Sequence, residues 1–414
     1  MVRVVSVVVC ACVAGASIAG DLNPPPGPVA PTMKTLEEVE PRVAINAENT
    51  PGGATFAFGI TEPGSYYLTG NIDAIDGETG IRIFVSDVAI DLNGFTVASP
   101  GGSGTPNGIA ALGFDNVTIR NGTVSGFAGS GIIINAFARV EGVTVRGCGL
   151  VGVGLGANAI VRGCVATGNS ATGIQVSSAS VVESCIANSN LGSGFIAGLD
   201  SSLTGCVARQ NFGDGFSVST GSSLGACASY DNSGNGFDVS GGSTLVGCSA
   251  ARNTLNGFDL SSGSTVSACS SFDNNDSGIA TGTGCTVEGC TSTDNGEWGL
   301  FLASGCRVRD NTVVSNPSGG IRVSSDSLVT GNMCDQNGSI SGTAAIDVVG
   351  TDNTIDGNTV TDSIIGLSVS VGGNLITRNR ASGNGGDYAV VGGNDLGTIR
   401  TTPIGAGAWD NFSY

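Results

Sequence analysis

The sequence contains no histidine and only one lysine, Lys34, among 414 residues. The lack of histidine excludes Ser-His and Cys-His nucleophile systems as well as imidazole metal sites. Charged residues make up only 12% of the chain, and the formal net charge is −18. Because nucleic-acid binding depends on clusters of Lys and Arg, we expect no nucleic-acid partner.

Long hydrophobic runs are also scarce, and the clearest one lies at the N-terminus. Arg3 precedes an apolar run over residues 4–16, and Ser17-Ile18-Ala19 has the small-x-small pattern of a cleavage site. This pattern predicts a signal peptide over residues 1–19, with a buried first strand as the alternative. The run is too short for a membrane span. We therefore expect a secreted protein, in the extracellular space, in the periplasm or at the cell surface.

Against this sparse background, two residue types recur at a constant step of 21 residues. These two types are Cys and Asn, and a Gly followed by an apolar residue repeats at the same step, four residues after each Asn. A constant period of this length is the signature of a repeat architecture. The two columns are Cys164, Cys185, Cys206, Cys227, Cys248, Cys269 and Cys290, and Asn169, Asn190, Asn211, Asn232, Asn253, Asn274, Asn295 and Asn316.

Each repeat alternates apolar and polar residues in short stretches that are separated by Gly, Asn and Ser, which predicts three short strands per turn. The fold class is therefore all-β, a parallel β-helix of about 15 coils. We assign residues 20–33 to a Pro-rich linker, 34–75 to an N-terminal cap, 76–392 to the β-helix and 393–414 to a C-terminal cap or tail. Caps are expected because exposed strand edges associate, and with capped ends we expect a monomer.

The Asn-x-x-x-Gly-Phe/Ile column and the inward Val and Cys columns resemble those of right-handed parallel β-helix proteins in the pectate-lyase-like superfamily. The resemblance covers about residues 75–395. Residues 63–71 and 91–95 also resemble the entry segment of secreted bacterial β-helix proteins of unknown function. The resemblance implies a right-handed coil. It does not imply one activity, because a fold hosts many functions.

Catalytic motifs of enzymes with this fold do not carry over to this chain. Polygalacturonases pair an aspartate couple with a Gly-His-Gly element, and pectate lyases combine calcium-binding aspartates with an Arg or Lys base. This sequence has no histidine, no Asp-Asp pair and no lysine in the coils. We therefore assign no catalytic residue and favour a protein that is not an enzyme.

Eleven cysteines remain after the predicted signal peptide. In-register positions of neighbouring coils lie about 4.8 Å apart, whereas bridged Cβ atoms lie about 3.8 Å apart. We therefore predict a ladder of buried thiols rather than disulfides. A thiolate metal site stays open as an alternative, although a linear stack does not supply convergent ligands.

Four carboxylates gather in two adjacent coils. Asp273 and Asp294 share one column, and Asp276 and Glu297 share another, three residues on. Like charges this close destabilise a fold unless a cation or a proton intervenes, and hard oxygen ligands suit calcium. The sequence therefore offers these four residues as candidate calcium ligands. Solvated turns and a catalytic carboxylate pair are the alternatives.

Trp298 follows this cluster, in a column otherwise filled mostly by small polar residues, which predicts that it is exposed. An exposed Trp beside carboxylates is a candidate platform for a sugar ring. Arg252 shares the column of Asp273 and is a second candidate ligand-binding residue, although it could instead neutralise a neighbouring Asp.

These observations favour a secreted or cell-envelope β-helix protein that binds an extracellular glycan or forms a surface scaffold without catalysis. The alternative is a divergent polysaccharide lyase or glycoside hydrolase that acts on an extracellular polysaccharide through the four carboxylates and Arg252. A purely structural protein without a ligand is the third hypothesis.

Overall fold

The computed structural model describes residues 42–102, 104–340 and 342–414. The predicted signal peptide, the predicted linker and the first part of the predicted N-terminal cap lie outside the described residues. The described residues form strands and turns and contain no α-helix. Consequently, they offer no helix with the length and hydrophobicity that crossing a membrane requires.

The strands form two parallel sheets that wind around one core, which confirms the predicted parallel β-helix. The smaller sheet has 16 strands, one for each complete coil, and the larger sheet has 32. The smaller sheet contains Phe56–Ile60, Thr79–Ile83, Ile109–Ala111, Ile132–Ile134, Val153–Leu155, Ile174–Val176, Phe195–Ala197, Phe216–Val218, Phe237–Val239, Phe258–Leu260, Ile279–Thr281, Trp298–Leu302, Gly319–Val323, Ala344–Val348, Ile365–Val369 and Gly386–Val390.

The strands of the larger sheet lie on the other two sides of each coil, and in the region with the strictest repeat two of them belong to each coil. They are Val43–Ile45, Gly64–Leu68, Ile72–Asp73, Val88–Asp91, Thr96–Ala98, Val117–Ser125, Arg139–Arg146, Ile160–Arg162, Val165–Thr167, Val181–Glu183, Ile186–Asn188, Ser202–Thr204, Val207–Arg209, Ser223–Gly225, Ala228–Tyr230, Thr244–Val246, Ser249–Ala251, Thr265–Ser267, Ser270–Phe272, Thr286–Glu288, Thr291–Thr293, Arg307–Arg309, Thr312–Val314, Leu328–Thr330, Met333–Asp335, Thr354–Asp356, Thr359–Thr361, Leu375–Thr377, Arg380–Ser382, Asp395–Leu396, Ile399–Arg400 and Asn411–Ser413.

Both ends of the chain's described part contribute strands to these sheets. Phe56–Ile60, inside the predicted N-terminal cap, pairs in register with Thr79–Ile83. This strand belongs to a sixteenth coil, one more than the sequence predicts, because Ala57-Phe58 stands where the next coil has the pair Gly80-Ile81. At the other end, Asn411–Ser413 pairs with Arg380–Ser382. The segment 393–414 therefore extends the larger sheet beyond the last regular coil.

The core is built by inward residues that stack on their equivalents one coil away. Phe195, Phe216, Phe237 and Phe258 are fully buried, and their ring planes are nearly parallel with centroids 4.8 Å apart. In the three-residue strands of the smaller sheet the first and third residues point inward, whereas in those of the larger sheet the middle residue does, because side chains alternate between the two faces of a strand. The middle residue of a smaller-sheet strand therefore points outward, and this alternation decides which residues of that sheet are available to a ligand.

Buried Asn side chains hold the corner that leads into the smaller sheet. Asn253 donates its backbone N–H to Oδ1 of Asn274 over 3.0 Å, and its Nδ2 donates to the same oxygen over 2.9 Å. Asn274 repeats the arrangement with Asn295, at 3.2 and 2.9 Å. Each amide thus satisfies corner groups of the preceding coil that water cannot reach.

The two other corners carry equivalent ladders of different residues. The N–H of Cys164 donates to Sγ of Cys185 over 3.4 Å, whereas the N–H of Cys290 donates to Oδ1 of Asn311 over 2.9 Å. At the third corner, the N–H of Ser201 donates to Oγ of Ser222 over 3.1 Å. The eleven cysteines from Cys148 to Cys334 are free and buried, which confirms the predicted thiol ladder.

Loss of one ladder amide should destabilise the protein. We expect Asn274→Ala to lower the free energy of unfolding by about 2 kcal/mol or more, since the buried N–H groups of Asn253 lose their acceptor. Asn275→Ala is the matched control, because this neighbour is exposed. Chemical denaturation of both variants measures the difference, and equal stabilities would refute the role of the ladder.

The buried thiols should be unreactive in the folded protein. Thiolate is the reactive form, and burial raises the pKa of the Cys148 and Cys334 thiols. We expect Ellman's reagent to label none of the eleven cysteines before unfolding and all of them in guanidinium chloride. Peptide mapping by mass spectrometry identifies the labelled positions, and rapid labelling of any of the eleven in the native state would contradict the structure.

Candidate functional site

An open groove of about 550 Å³ crosses three coils on the outer face of the smaller sheet. Its floor consists of Asp259, Ala280 and Phe301, the outward residues of three neighbouring strands. The adjoining corner segments form its two sides. Side-chain and backbone groups from Asn256, Asp276, Ser277 and Glu297 line one side, and Ser261, Ser262, Thr281 and Gly282 line the other.

Beyond the groove, carboxylates continue from Asp259 along the smaller sheet toward the N-terminal coils. Asp238 and Asp259 are register partners on adjacent strands, and Asp214 lies at the edge of the coil before them. Asp214 accepts a hydrogen bond from the backbone N–H of Asn235 over 2.8 Å. The described residues provide no ion-pair partner for any of the three aspartates.

This environment makes the three carboxyl groups harder to ionise. Burial raises the pKa of Asp214, and the charge of Asp259 adds to the rise. Burial is also the main cause of the raised pKa of Asp259. For Asp238, desolvation and then repulsion from Asp214 and Asp259 raise the pKa, although part of the side chain stays exposed. Asp259 lines the groove, and a group with a perturbed pKa in a groove is a candidate for function.

The structure separates the four carboxylates that the sequence groups together. Asp276 and Glu297 line the groove, but Asp273 and Asp294 do not. Asp273 and Asp294 each have a φ of 54°, a left-handed conformation that Asp tolerates better than most residues. The left-handed backbone conformation thus explains why Asp stands at these two positions. Within the described residues no three His, Cys, Asp or Glu side chains converge as a metal site, and calcium binding by these four residues stays a prediction.

Arg252 also lies outside the groove. Its Nε donates to Oδ1 of Asp231 over 2.8 Å and a terminal nitrogen donates to Oδ2 over 3.3 Å. The Asp231 carboxylate raises the pKa of the Arg252 guanidinium, and Asp273 adds a smaller effect. Arg252 therefore neutralises a neighbour in its own column, as the alternative reading of the sequence allowed.

The prediction that Trp298 is exposed is wrong, since only 9% of its surface is accessible. Two other residues of its column, Thr172 and Ser277, are also buried. Small polar residues there do not mark an outward direction. Trp298 fits because the next coil has Gly319 at this place, where a Cβ atom would lie 2.2 Å from the indole ring.

Phe301 is the aromatic side chain that the groove presents to solvent, with 44% of its surface accessible. The guanidinium of Arg322, on the next strand, lies 5.4 Å from the centroid of Trp298 and 6.0 Å from that of Phe301. On its other side Arg322 faces Asp347, with 3.7 Å between the charged atoms. The buried indole, the guanidinium and the exposed phenyl ring therefore form one cluster at the C-terminal end of the groove.

A family model described as the right-handed beta helix region matches residues 79–226 and 203–337. The chain belongs to this right-handed β-helix family. The match covers the coils that build the groove and agrees with the parallel strand order and the constant register.

Solved structures resemble this β-helix protein only in fold. The A-module of the mannuronan C-5 epimerase AlgE4 from Azotobacter vinelandii shares 14% identity with a TM-score of 0.40, over 80% of this chain and 90% of that one. Tailspike protein 3 of bacteriophage CBA120 shares 13% identity with a TM-score of 0.43, over 84% of this chain and 64% of that one. A search of curated protein sequences finds no significant match.

Sequence reasoning missed the groove of this β-helix protein, although the signal for its floor was present. The residue after each Gly-apolar pair is the outward position of the smaller sheet, and reading it down the coils gives Asp238, Asp259, Ala280, Phe301, Arg322 and Asp347. The Asn-centred columns, which drew attention to Asp273 and Trp298, describe a corner. Side-chain direction at a corner follows the local backbone rather than a two-residue alternation.

The raised carboxyl pKa values predict a pH effect that Asp259→Asn should reduce. In the folded state the pKa of Asp259 lies above its unfolded value, so the folded state favours the neutral form. Its destabilising effect is present at neutral pH and is lost as the pH falls toward about 4. We expect Asp259→Asn to melt at a higher temperature than the wild type at pH 7, with the difference shrinking at pH 4.5.

Scanning calorimetry between pH 4.5 and pH 7.5 tests this expectation. Asp326→Asn is the control, because Asp326 lies at an exposed turn. A difference between Asp259→Asn and the wild type that stays constant with pH would contradict a raised pKa at Asp259.

Proposed function

We propose that this chain is a secreted β-helix protein that binds an extracellular polysaccharide in the groove on the smaller sheet. The observation that carries the proposal is the combination of carboxylates, small hydroxyl side chains and an exposed phenyl ring in one open groove. Sugars present many O–H donors around a ring with apolar faces. Carboxylates accept the O–H groups, and an aromatic ring packs against the apolar face.

The shape of the groove supports an extended ligand. Its lining positions repeat from coil to coil, so equivalent positions recur every 4.8 Å, the spacing of the stacked core rings. A polymer with its own repeat can meet such a periodic surface at several consecutive units. The groove also lies on a strand surface, which holds its side chains more rigidly than a loop would.

The charge of the groove bears on the choice of glycan. Asp259, Asp276 and Glu297 line it, and no Arg or Lys belongs to its lining. An acidic polymer would meet repulsion from these carboxylates unless a divalent cation such as calcium lay between them. The proposal therefore favours a neutral polymer or one that carries amino groups, and makes calcium a requirement only for acidic polymers.

Co-elution with polysaccharides tests the proposal. The protein is incubated with dextran, mannan, xylan, chitosan, polygalacturonate and alginate, with and without calcium, and each mixture is run on a sizing column. We expect the protein to co-elute with at least one intact polymer. Co-elution with none would refute the glycan-binding proposal and favour the structural hypothesis.

A pair of multiple variants tests where the polymer binds. We expect Asp259→Asn/Asp276→Asn/Glu297→Gln to lose about tenfold or more in affinity, since several hydrogen bonds to charged acceptors weaken together. Asp273→Asn/Asp294→Asn is the matched control, because these carboxylates lie outside the groove. Equal losses in both variants would point to a general charge effect and refute the groove as the binding site.

A glycoside hydrolase is the second candidate function, and the pair Asp238 and Asp259 is the observation that favours it. Their strands are adjacent and in register, so the two carboxyl groups lie within reach of the separation of about 5 Å that retaining glycosidases use. Raised pKa values suit a general acid. Shortening of a polymer in the sizing experiment, abolished by Asp238→Asn or Asp259→Asn, would establish this function in place of binding alone.

A further inference from the structure

We infer that Phe301 is the platform on which the groove holds an uncharged sugar ring, with Arg322 and Asp347 as the hydrogen-bonding pair at the edge of that ring. The inference rests on the proposed function and adds the platform residue and the class of sugar. It replaces Trp298, which the sequence suggests for this role, with a residue that a ligand can reach.

The phenyl ring of Phe301 is in the right place for such contact. It is the outward residue of Trp298–Leu302, a strand whose neighbouring residues Leu300 and Leu302 are buried in the core. This anchoring fixes the backbone under the ring. Ala280, in register on the preceding strand, is small and leaves the N-terminal side of the ring open toward Asp259.

The C-terminal side of the platform is closed by Arg322, which is itself held in place. Its guanidinium lies over the buried indole of Trp298 at 5.4 Å, an arrangement that favours a cation over an aromatic face. Gly319 makes room for that indole. Trp298 is therefore a positioning residue, and its effect on a ligand would pass through Arg322.

Arg322 and Asp347 still have hydrogen-bonding capacity for a ligand. Their charged atoms are 3.7 Å apart, beyond hydrogen-bond distance, and within the described part of the chain Arg322 donates no side-chain hydrogen bond. A guanidinium supplies several donors and a carboxylate several acceptors. The two groups can therefore bind neighbouring hydroxyls of a sugar, one as donor and the other as acceptor.

The surrounding charges select against an acidic sugar. A sugar carboxylate at Phe301 would find one cation, Arg322, which Asp347 already partly neutralises. On the other side it would face Glu297 and Asp259. An uncharged ring meets none of this repulsion and can use the same carboxylates as acceptors, so the cluster fits neutral sugars.

Affinity electrophoresis in dextran, mannan and xylan, with polygalacturonate as the acidic probe, tests the inference on the full chain. We expect Phe301→Ala to weaken binding of the retained neutral polymer by about tenfold, as expected for loss of an aromatic contact, while Phe301→Tyr keeps it. Phe212→Ala is the matched control, because Phe212 is also an exposed Phe, 68% accessible, but lies outside the groove.

Tryptophan fluorescence supplies a second readout that a purely structural effect would not produce. The chain has two Trp residues, so Trp409→Phe leaves Trp298 as the remaining emitter. We expect the retained neutral polymer to change Trp298 emission, and Phe301→Ala in the same background to remove that change at the same polymer concentration.

The outcomes separate the inference from the function on which it rests. Neutral-polymer binding that Phe301→Ala leaves unchanged, or binding of polygalacturonate alone, would overturn the inference and leave glycan binding standing. Retention by none of the polymers would overturn both. Loss of neutral-polymer binding in Phe301→Ala but not in Phe212→Ala, with unchanged melting temperatures, would support the inference.

Discussion

The fold depends on one interaction that recurs along three corner columns, the donation of a backbone N–H to an inward side chain of the next coil. A coil this narrow turns within a few residues, so its corner N–H groups are buried and cannot join the strand ladders. Asn, Cys and Ser side chains accept these bonds along three separate columns. Because an unsatisfied buried N–H costs about 1–3 kcal/mol, the columns tie each coil to the next in one register. The 21-residue period follows from this requirement, because donor and acceptor are equivalent residues of adjacent coils.

This constraint leaves the outer positions free for function. Inward residues stack on their equivalents and corner residues accept hydrogen bonds, whereas the middle residue of each smaller-sheet strand points outward. On the smaller sheet these outward residues change along the axis from Ile133 and Ile196 to Asp238 and Asp259, and then to Phe301 and Arg322. The outward side chains of this regular scaffold thus change in chemical type along its axis, and the groove lies where acidic and aromatic residues meet.

The sequence predicts the coils well and the site poorly, for one physical reason. Strand residues alternate with a period of two, so the direction of the Val and Phe columns follows from spacing alone. The sixteenth coil is missed because Ala57 stands at the position where the next coil has Gly80. Corners do not alternate. The sequence predicts that Trp298 is exposed because its column contains Ser277 and Thr172, but all three residues are buried. Asp273 and Asp276 are separated by the turn between them. Asp238 and Asp259 are not singled out by the sequence, because each is the middle residue of a three-residue strand like those of the other coils.

The pair Asp238 and Asp259 is informative because several charged residues elsewhere stack on a coil neighbour of opposite sign. Examples are Arg162 with Glu183 at 2.7 Å, Arg252 with Asp231 at 2.8 Å and Arg309 with Glu288 at 2.6 Å. Asp238 and Asp259 instead face each other in register without a cation, and Asp214 adds to the repulsion. Ser or Thr at these outward positions would remove the repulsion without disturbing the core or the corner ladders. The stability that the ladders provide lets the fold carry this unfavourable arrangement, and a ligand that donates hydrogen bonds to the carboxylates would relieve it. The electrostatics of the scaffold therefore point to the same face as its shape.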